Sequence, residues 1–236
     1  LQPELFVEIG VEDYREANTR FLAEESLWAG LVIDSSEEYM AALRRDRIYW
    51  ACNIKAVAAF VTVENVNRLL ADNGLSGDIG LLSIDVDGSD YWLWEGVTAV
   101  NPRIVVCEYN SFLGSGRPVV VPYKADFRRT EAHPSWLYYG ASLPALEYLA
   151  RRKGYQLVGT NSAGNNAFFV RADVGGRLPL RTSREAFTPA RFREAHDAAG
   201  NLIYPDFAAA QALIGGLPVQ DVATGEVLPL RAAVEG

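Results

Sequence analysis

Residues 80–110 read GLLSIDVDGSDYWLWEGVTAVNPRIVVCEYN, from Gly80 to Asn110, and this stretch decides the fold. An apolar run, Leu81-Leu82-Ser83-Ile84, delivers three carboxylates, Asp85, Asp87 and Asp90, around the single glycine Gly88. A helical segment from Tyr91 to Val100 follows. A second apolar run, Ile104-Val105-Val106-Cys107, ends in Glu108-Tyr109-Asn110. Short unbroken apolar runs suit strands buried on both faces, as in a parallel sheet. Two such strands joined by a helix form a right-handed βαβ unit whose strand C-termini share one edge. The acids Asp85 and Asp87 and the pair Glu108/Asn110 then lie side by side at the edge where open α/β sheets hold their ligands.

Upstream, the same alternation repeats. Leu5–Ile9 is a strand ending at Gly10, and YREANTRFLAEE (Tyr14–Glu25) has helical spacing with Tyr14, Ala17, Phe21 and Leu22 inward. Gly30–Asp34 is a second strand, after which Ser35-Ser36 cap a helix carrying Met40 and Leu43 on its inner face. Ile48–Ile54 reads as a third strand. Thr62 then caps a helix with Asn65 at its third position, a stripe of Val63, Val66, Leu69 and Leu70, and a stop near Asn73-Gly74.

Downstream, Ser111–Tyr139 is polar and rich in Gly and Pro without lasting periodicity, the pattern of a lid or substrate loop. Ser142 or its neighbour caps a helix that Gly154 ends. Tyr155–Val158 and Ala167–Val170, separated by the turn TNSAGNN, are an antiparallel pair. Past Gly175 the pattern weakens: SREAFTPARFREAHDAAG holds a helix and QDVATGEVLPL a small hairpin or a tail. The order specifies a three-layer α/β sandwich, a doubly wound and mostly parallel sheet with a terminal antiparallel strand pair. Residues 1–174 form the α/β domain and residues 175–236 an extension packed on it.

Composition excludes several classes. A net charge of −8 disfavours nucleic acid and anionic membrane surfaces, whose phosphates attract Lys and Arg. No apolar stretch approaches the ~20 residues that span a bilayer. Cys52 and Cys107 sit in apolar, strand-like surroundings without metal spacing, and read as buried thiols of a reducing, cytoplasmic compartment. The opening LQPELFVEIG has no signal-peptide pattern. It lacks an initiator Met and starts almost inside a strand, so a preceding element of a longer chain is expected.

Site candidates follow from the strand ends. In FVEIGVED the strand-Gly-loop-helix order lets backbone approach a ligand, with Glu8, Gly10 and Glu12 as candidates and a plain βα turn as the structural alternative. Acids at 12 and 13 repel a pyrophosphate, which disfavours NAD and ATP and suits a ligand bearing an amino group or sulfonium. Asp34 ends its strand where acids accept hydrogen bonds from a ribose diol, with helix capping as the alternative. Asp85, Asp87 and Glu108 offer a general base, or, with Asn110, hard oxygen ligands for a divalent ion such as Mg. Asp90 suits a helix cap. His133 in the lid is a candidate base or a solvated loop residue, and His196 a surface residue. Arg128, Arg129, Tyr138 and Tyr139 are candidates for a polar acceptor. The amides of NSAGNN either order a turn or donate to substrate. Tyr91, Trp92 and Trp94 read as packing.

In order and spacing, FVEIGVEDYREANTRFL, GLVIDSS, TVENVNRLL, LLSIDVDGSDYWLWEGV and NPRIVVCEYNS resemble the FkbM-type branch of class I S-adenosylmethionine-dependent methyltransferases. YYGASLPALEYLARRKGY and NSAGNNAFFVR are similar to the last strands of that group, so the likeness covers about Phe6 to Asp173. It implies a Rossmann-like fold, S-adenosylmethionine as cofactor and O-methylation of a sugar, glycan precursor or small polyhydroxylated metabolite. It also implies that Glu8 and Gly10 line the methionine moiety, Asp34 and Ser35 the ribose, and Asp85 the crevice beside the methyl group. At Glu12-Asp13-Tyr14 the chain departs from the glycine-rich turn usual in that group. This departure motivates the alternative, a catalytically lapsed binding or scaffolding domain in a glycan-assembly system. The sequence leaves the oligomeric state open.

Overall fold

The computed structural model describes residues 3–234. In chain order the elements are β1 (Leu5–Ile9), α1 (Arg20–Ser26), β2 (Ala29–Asp34), α2 (Glu37–Leu43), α3 (Arg47–Ala51), β3 (Ile54–Ala58), α4 (Val66–Asp72), β4 (Gly77–Ile84), α5 (Asp90–Gly96) and β5 (Val100–Glu108). There follow a 3₁₀ turn (Ser111–Leu113), β6 (Val119–Val120), α6 (Arg129–Ala132), α7 (Leu143–Arg152), β7 (Tyr155–Thr160), β8 (Asn166–Arg171) and α8 (Ser183–Ala186). The chain closes with β9 (Ala195–His196), β10 (Leu202–Ile203), α9 (Phe207–Ile214), β11 (Pro218–Asp221), β12 (Val227–Pro229) and α10 (Leu230–Val234). Seven strands form one sheet in the order β3-β2-β1-β4-β5-β8-β7. β1 runs parallel to β2 and β4, β2 parallel to β3, and β8 antiparallel to β7. This is the doubly wound, mostly parallel sheet with an antiparallel end that the sequence pattern specifies.

The chain divides into two compact units. The first comprises residues up to Val86 together with Leu93–Val106. Its central strands are buried on both faces, with Phe6, Val7, Val32, Ile33, Leu82 and Ile84 essentially inaccessible, so the apolar runs do not alternate. Three expectations are corrected here. The helix predicted over 14–25 begins only at Arg20, because residues 11–19 are tied down by the carboxylates of Glu8 and Asp34. Phe21, placed inward by its spacing, is 67% exposed, while Tyr14 is buried from the loop. The strand predicted over 48–54 is the helix α3, because Asp46 caps it by accepting the Ile48 N–H (2.9 Å). Pairing with β2 starts only at Ile54, and Cys52 is the C-cap of α3 rather than a strand residue. The helix predicted to Val100 ends at Gly96, and Asn67 Oδ1 accepts the N–H groups of Thr98 (2.7 Å) and Ala99 (2.9 Å) just beyond it.

The second unit comprises Asp87–Trp92 and the chain from Cys107 onward. Here the reading of 111–139 as a lid is corrected for its two ends, 112–121 and 137–138. Phe112, Leu113, Val119, Val121, Leu137 and Tyr138 belong to a core cluster shared with Ala195, Ala210, Ile214, Val219, Leu228 and Leu230. The physical reason is β6, which pairs antiparallel with β11 and carries the stretch into a three-stranded sheet. The helix expected in SREAFTPARFREAHDAAG is confined to α8, where Thr182 and Glu185 form a capping box, and the remainder leads into the β9–β10 pair. The hairpin expected in QDVATGEVLPL is β11–β12.

Candidate functional site

Register brings the site residues of the first unit together. Ile9 pairs with Ile33 on one side and Ile84 on the other, so Gly10, Asp34 and Asp85 leave three neighbouring strands at one level. Gly10 N–H donates to Ile33 O (2.8 Å) and Asp85 N–H to Ile9 O (2.9 Å), which locks that level. Gly10 has φ +80, and a Cβ there would sit 1.6 Å from the Asp85 carbonyl oxygen. The glycine is therefore required by the close approach of the two strand ends, before any ligand is considered.

Each acid at this edge has defined work. The Asp34 carboxylate accepts N–H bonds from Val11 (3.1 Å) and Glu12 (2.8 Å) on one oxygen and from Ser36 (2.8 Å) on the other. A carboxylate has roughly four lone-pair sites, so one remains for a ligand hydroxyl. Ser35 is exposed beside it, and the cap of α2 is Ser36, which accepts the Tyr39 N–H (3.2 Å). Glu8 is 1% exposed and accepts from Asn18 N–H (2.8 Å), Thr19 N–H (3.0 Å) and the Thr19 hydroxyl. It anchors the 11–19 loop from inside. Burial pushes its carboxyl above the ordinary value, against the hydrogen bonds from Thr19 and Asn18, which pull it down. Tyr14 donates to the Thr19 hydroxyl (2.9 Å), extending the chain, and burial raises its phenol as well. Glu12 (φ +46) is exposed and Asp13 half-buried, which leaves acids on the surface of the loop.

In the second unit Asp87 and Glu108 offer carboxylate oxygens within 4.8 Å of each other. Asp87 stands at φ +55, a conformation Asp tolerates better than most residues. Its Oδ1 pairs with Arg129 (2.7 Å), whose guanidinium also lies 5.4 Å from the Tyr139 ring centroid. Glu108 is buried at the end of β5. Asp85 belongs to the first unit, two residues upstream of Asp87. Asn110 is committed elsewhere: its amide donates to Leu137 O (2.8 Å) and Tyr139 O (3.0 Å), and its oxygen accepts the Phe112 N–H (3.0 Å). Asp90 is buried and closes on the Gly88 N–H (3.0 Å).

His133 Nδ1 lies 2.8 Å from the Ser135 hydroxyl and accepts the Ser135 N–H (3.2 Å). That network assigns the neutral ring's proton to Nε2, so the basic nitrogen is occupied. Burial lowers its affinity for a second proton. Arg128 pairs loosely with Glu131, and Tyr138 donates to the Pro218 carbonyl. In NSAGNN, Asn161 Oδ1 accepts the N–H groups of Gly164, Asn165 and Asn166, so the segment orders a turn. Sequence reasoning missed Arg129 as the partner of Asp87 and Thr19 as the partner of Glu8. The signal for the latter was a single acid inside the apolar strand LFVEI, which demands a buried donor.

No family model and no curated protein sequence matches the chain. Among solved structures it is similar to a ribosomal protein L11 methylase from Lactobacillus delbrueckii subsp. bulgaricus (14% identity, 71% of this chain and 69% of that one, TM-score 0.41). It is also similar to the N-terminal domain of EvdMO1 with SAH bound (14% identity, 70% and 72%, TM-score 0.43). A third is the O-methyltransferase from Bacillus cereus in complex with SAH (13% identity, 70% and 72%, TM-score 0.46).

Proposed function

We propose that the protein is an S-adenosylmethionine-dependent methyltransferase of the FkbM-like kind, acting on a hydroxyl of a sugar or small polyhydroxylated metabolite. The observation that carries the reading is the common level of Gly10, Asp34 and Asp85 at the carboxyl edge of β1, β2 and β4. Asp34 keeps one acceptor site for a ribose hydroxyl, beside Ser35. Glu12, Asp13 and Asp85 complement a cationic ligand electrostatically, and Glu8 fixes the loop that carries two of them. The bound cofactor supplies an electrophilic methyl group. Asp85, Asp87 or Glu108 takes the proton of the acceptor hydroxyl at a carboxylate oxygen. His133, with Nδ1 engaged, orders its own loop instead. Mg is the candidate accessory ion for Asp87 and Glu108, with Arg129 already paired to one oxygen of Asp87. In this reading residues 1–174 are the methyltransferase-like domain and 175–236 the extension packed on it.

Calorimetry with S-adenosylhomocysteine tests it: binding in the micromolar range or tighter is expected. A folded protein that takes up none would remove the methyltransferase reading and favour the second one, a lapsed binding or scaffolding domain. Two observations favour that rival: three backbone N–H groups already occupy Asp34, and Asp85 backbone fills the space beside Gly10.

A further inference from the structure

Asn166, at the first position of β8, is 8% exposed, and its carboxamide oxygen accepts no hydrogen bond from any described residue. A buried acceptor left unsatisfied is costly, and such groups in folded proteins call for a partner. The backbone of this residue is fixed at both ends. Its N–H donates to Asn161 Oδ1 (3.1 Å) and its carbonyl accepts the Asn161 N–H (2.9 Å). Neighbouring Tyr109 N–H donates to Asn165 O (2.7 Å), which sets Tyr109 opposite Asn165 and therefore Glu108 opposite Asn166. Directly opposed residues project on the same face, with Cβ atoms about 4.5–5.5 Å apart. Tyr109 points the other way, donating to the Thr188 carbonyl (2.6 Å).

We propose that Asn166 and Glu108 form the acceptor subsite, in which the Asn166 carboxamide oxygen receives a hydrogen bond from a ligand hydroxyl beside the Glu108 carboxylate. Two adjacent acceptors select a neutral, donor-rich ligand carrying neighbouring hydroxyls and reject an anionic one. This deepens the methyltransferase reading and rests on it only for the identity of the second substrate. Asn166 is then a specificity-determining residue, and the turn NSAGNN exists to hold it rigid.

The test uses saturation-transfer NMR on the full chain with methyl β-D-glucopyranoside, its fully O-methylated counterpart and D-glucose 6-phosphate. Wild-type protein should bind the first and neither of the others. Asn166→Leu should weaken glucoside binding by about tenfold or more while raising the melting temperature, since it removes the orphaned acceptor. Should the leucine variant not fold, the O-methylated probe still decides on wild-type protein, because its binding as well as the parent overturns the proposal. Absence of glucoside binding, or retention of it in a folded Asn166→Leu, overturns it too. S-adenosylhomocysteine calorimetry on the same samples separates the two readings. Cofactor bound without glucoside sinks this inference alone, and glucoside bound without cofactor sinks the methyltransferase.

Discussion

Glu8 sits in an environment far from that of an ordinary surface acid. It is desolvated at the centre of the sheet, and its oxygens hold Asn18 and Thr19. Its folded-state affinity for a proton exceeds the unfolded value near 4.5. The stability this contributes is complete below that value and is lost as pH rises through the elevated folded one. Urea midpoints measured against pH should fall across this window in the wild type and flatten in Glu8→Gln; parallel curves would show that Glu8 does not titrate there. Asp34 makes a different claim. Asp34→Ala removes three backbone partners, and should weaken S-adenosylhomocysteine binding by about 1–3 kcal/mol, read by calorimetry. Unchanged affinity would leave Asp34 as a purely structural clamp. Gly10→Ala should not give folded protein, because its Cβ would overlap the Asp85 carbonyl oxygen at 1.6 Å; a native circular dichroism spectrum would refute that.

At the scale of elements, turns and caps decide what apolar runs leave ambiguous. The β7–β8 hairpin depends on Asn161, whose side chain accepts three N–H groups and donates to Asn165 Oδ1 (2.8 Å). Asn161→Ala should cost about 1–3 kcal/mol in urea unfolding, and a loss below about 0.5 kcal/mol would mean that water replaces it fully. The same logic explains both misreadings near the N-terminus. IYWA is apolar enough for a strand, yet Asp46 caps it into a helix. YREANT has helical spacing, yet the buried Glu8 carboxylate captures the N–H groups of Asn18 and Thr19 first.

At the scale of the molecule, ligand linkage offers the broadest test. If S-adenosylhomocysteine binds only the folded state, a hundredfold excess over its Kd adds about 2.7 kcal/mol, or about 5–10 °C in melting temperature for a chain of this size. No shift at saturating concentration would speak for the scaffolding reading. Residues 175–236 supply Ala195, Ala210, Ile214, Val219, Leu228 and Leu230 to the core around Phe112 and Val119. A 1–174 fragment should therefore expose that apolar face and bind the dye ANS, whereas a soluble, dye-silent fragment would mark the extension as dispensable.

The sequence alone determined a mostly parallel sheet closed by an antiparallel pair, misplacing only its third strand, and the strand ends that carry Glu8, Gly10, Asp34, Asp85 and Glu108. Unbroken apolar runs ended by acids and glycines leave little else for a buried parallel strand to be. Only the tertiary structure decided what those acids touch, that the two ends of 111–139 enter a core rather than forming a lid, and that Asn166 stands opposite Glu108. Those outcomes depend on which distant N–H group or apolar face arrives beside a side chain, and local spacing carries no record of it.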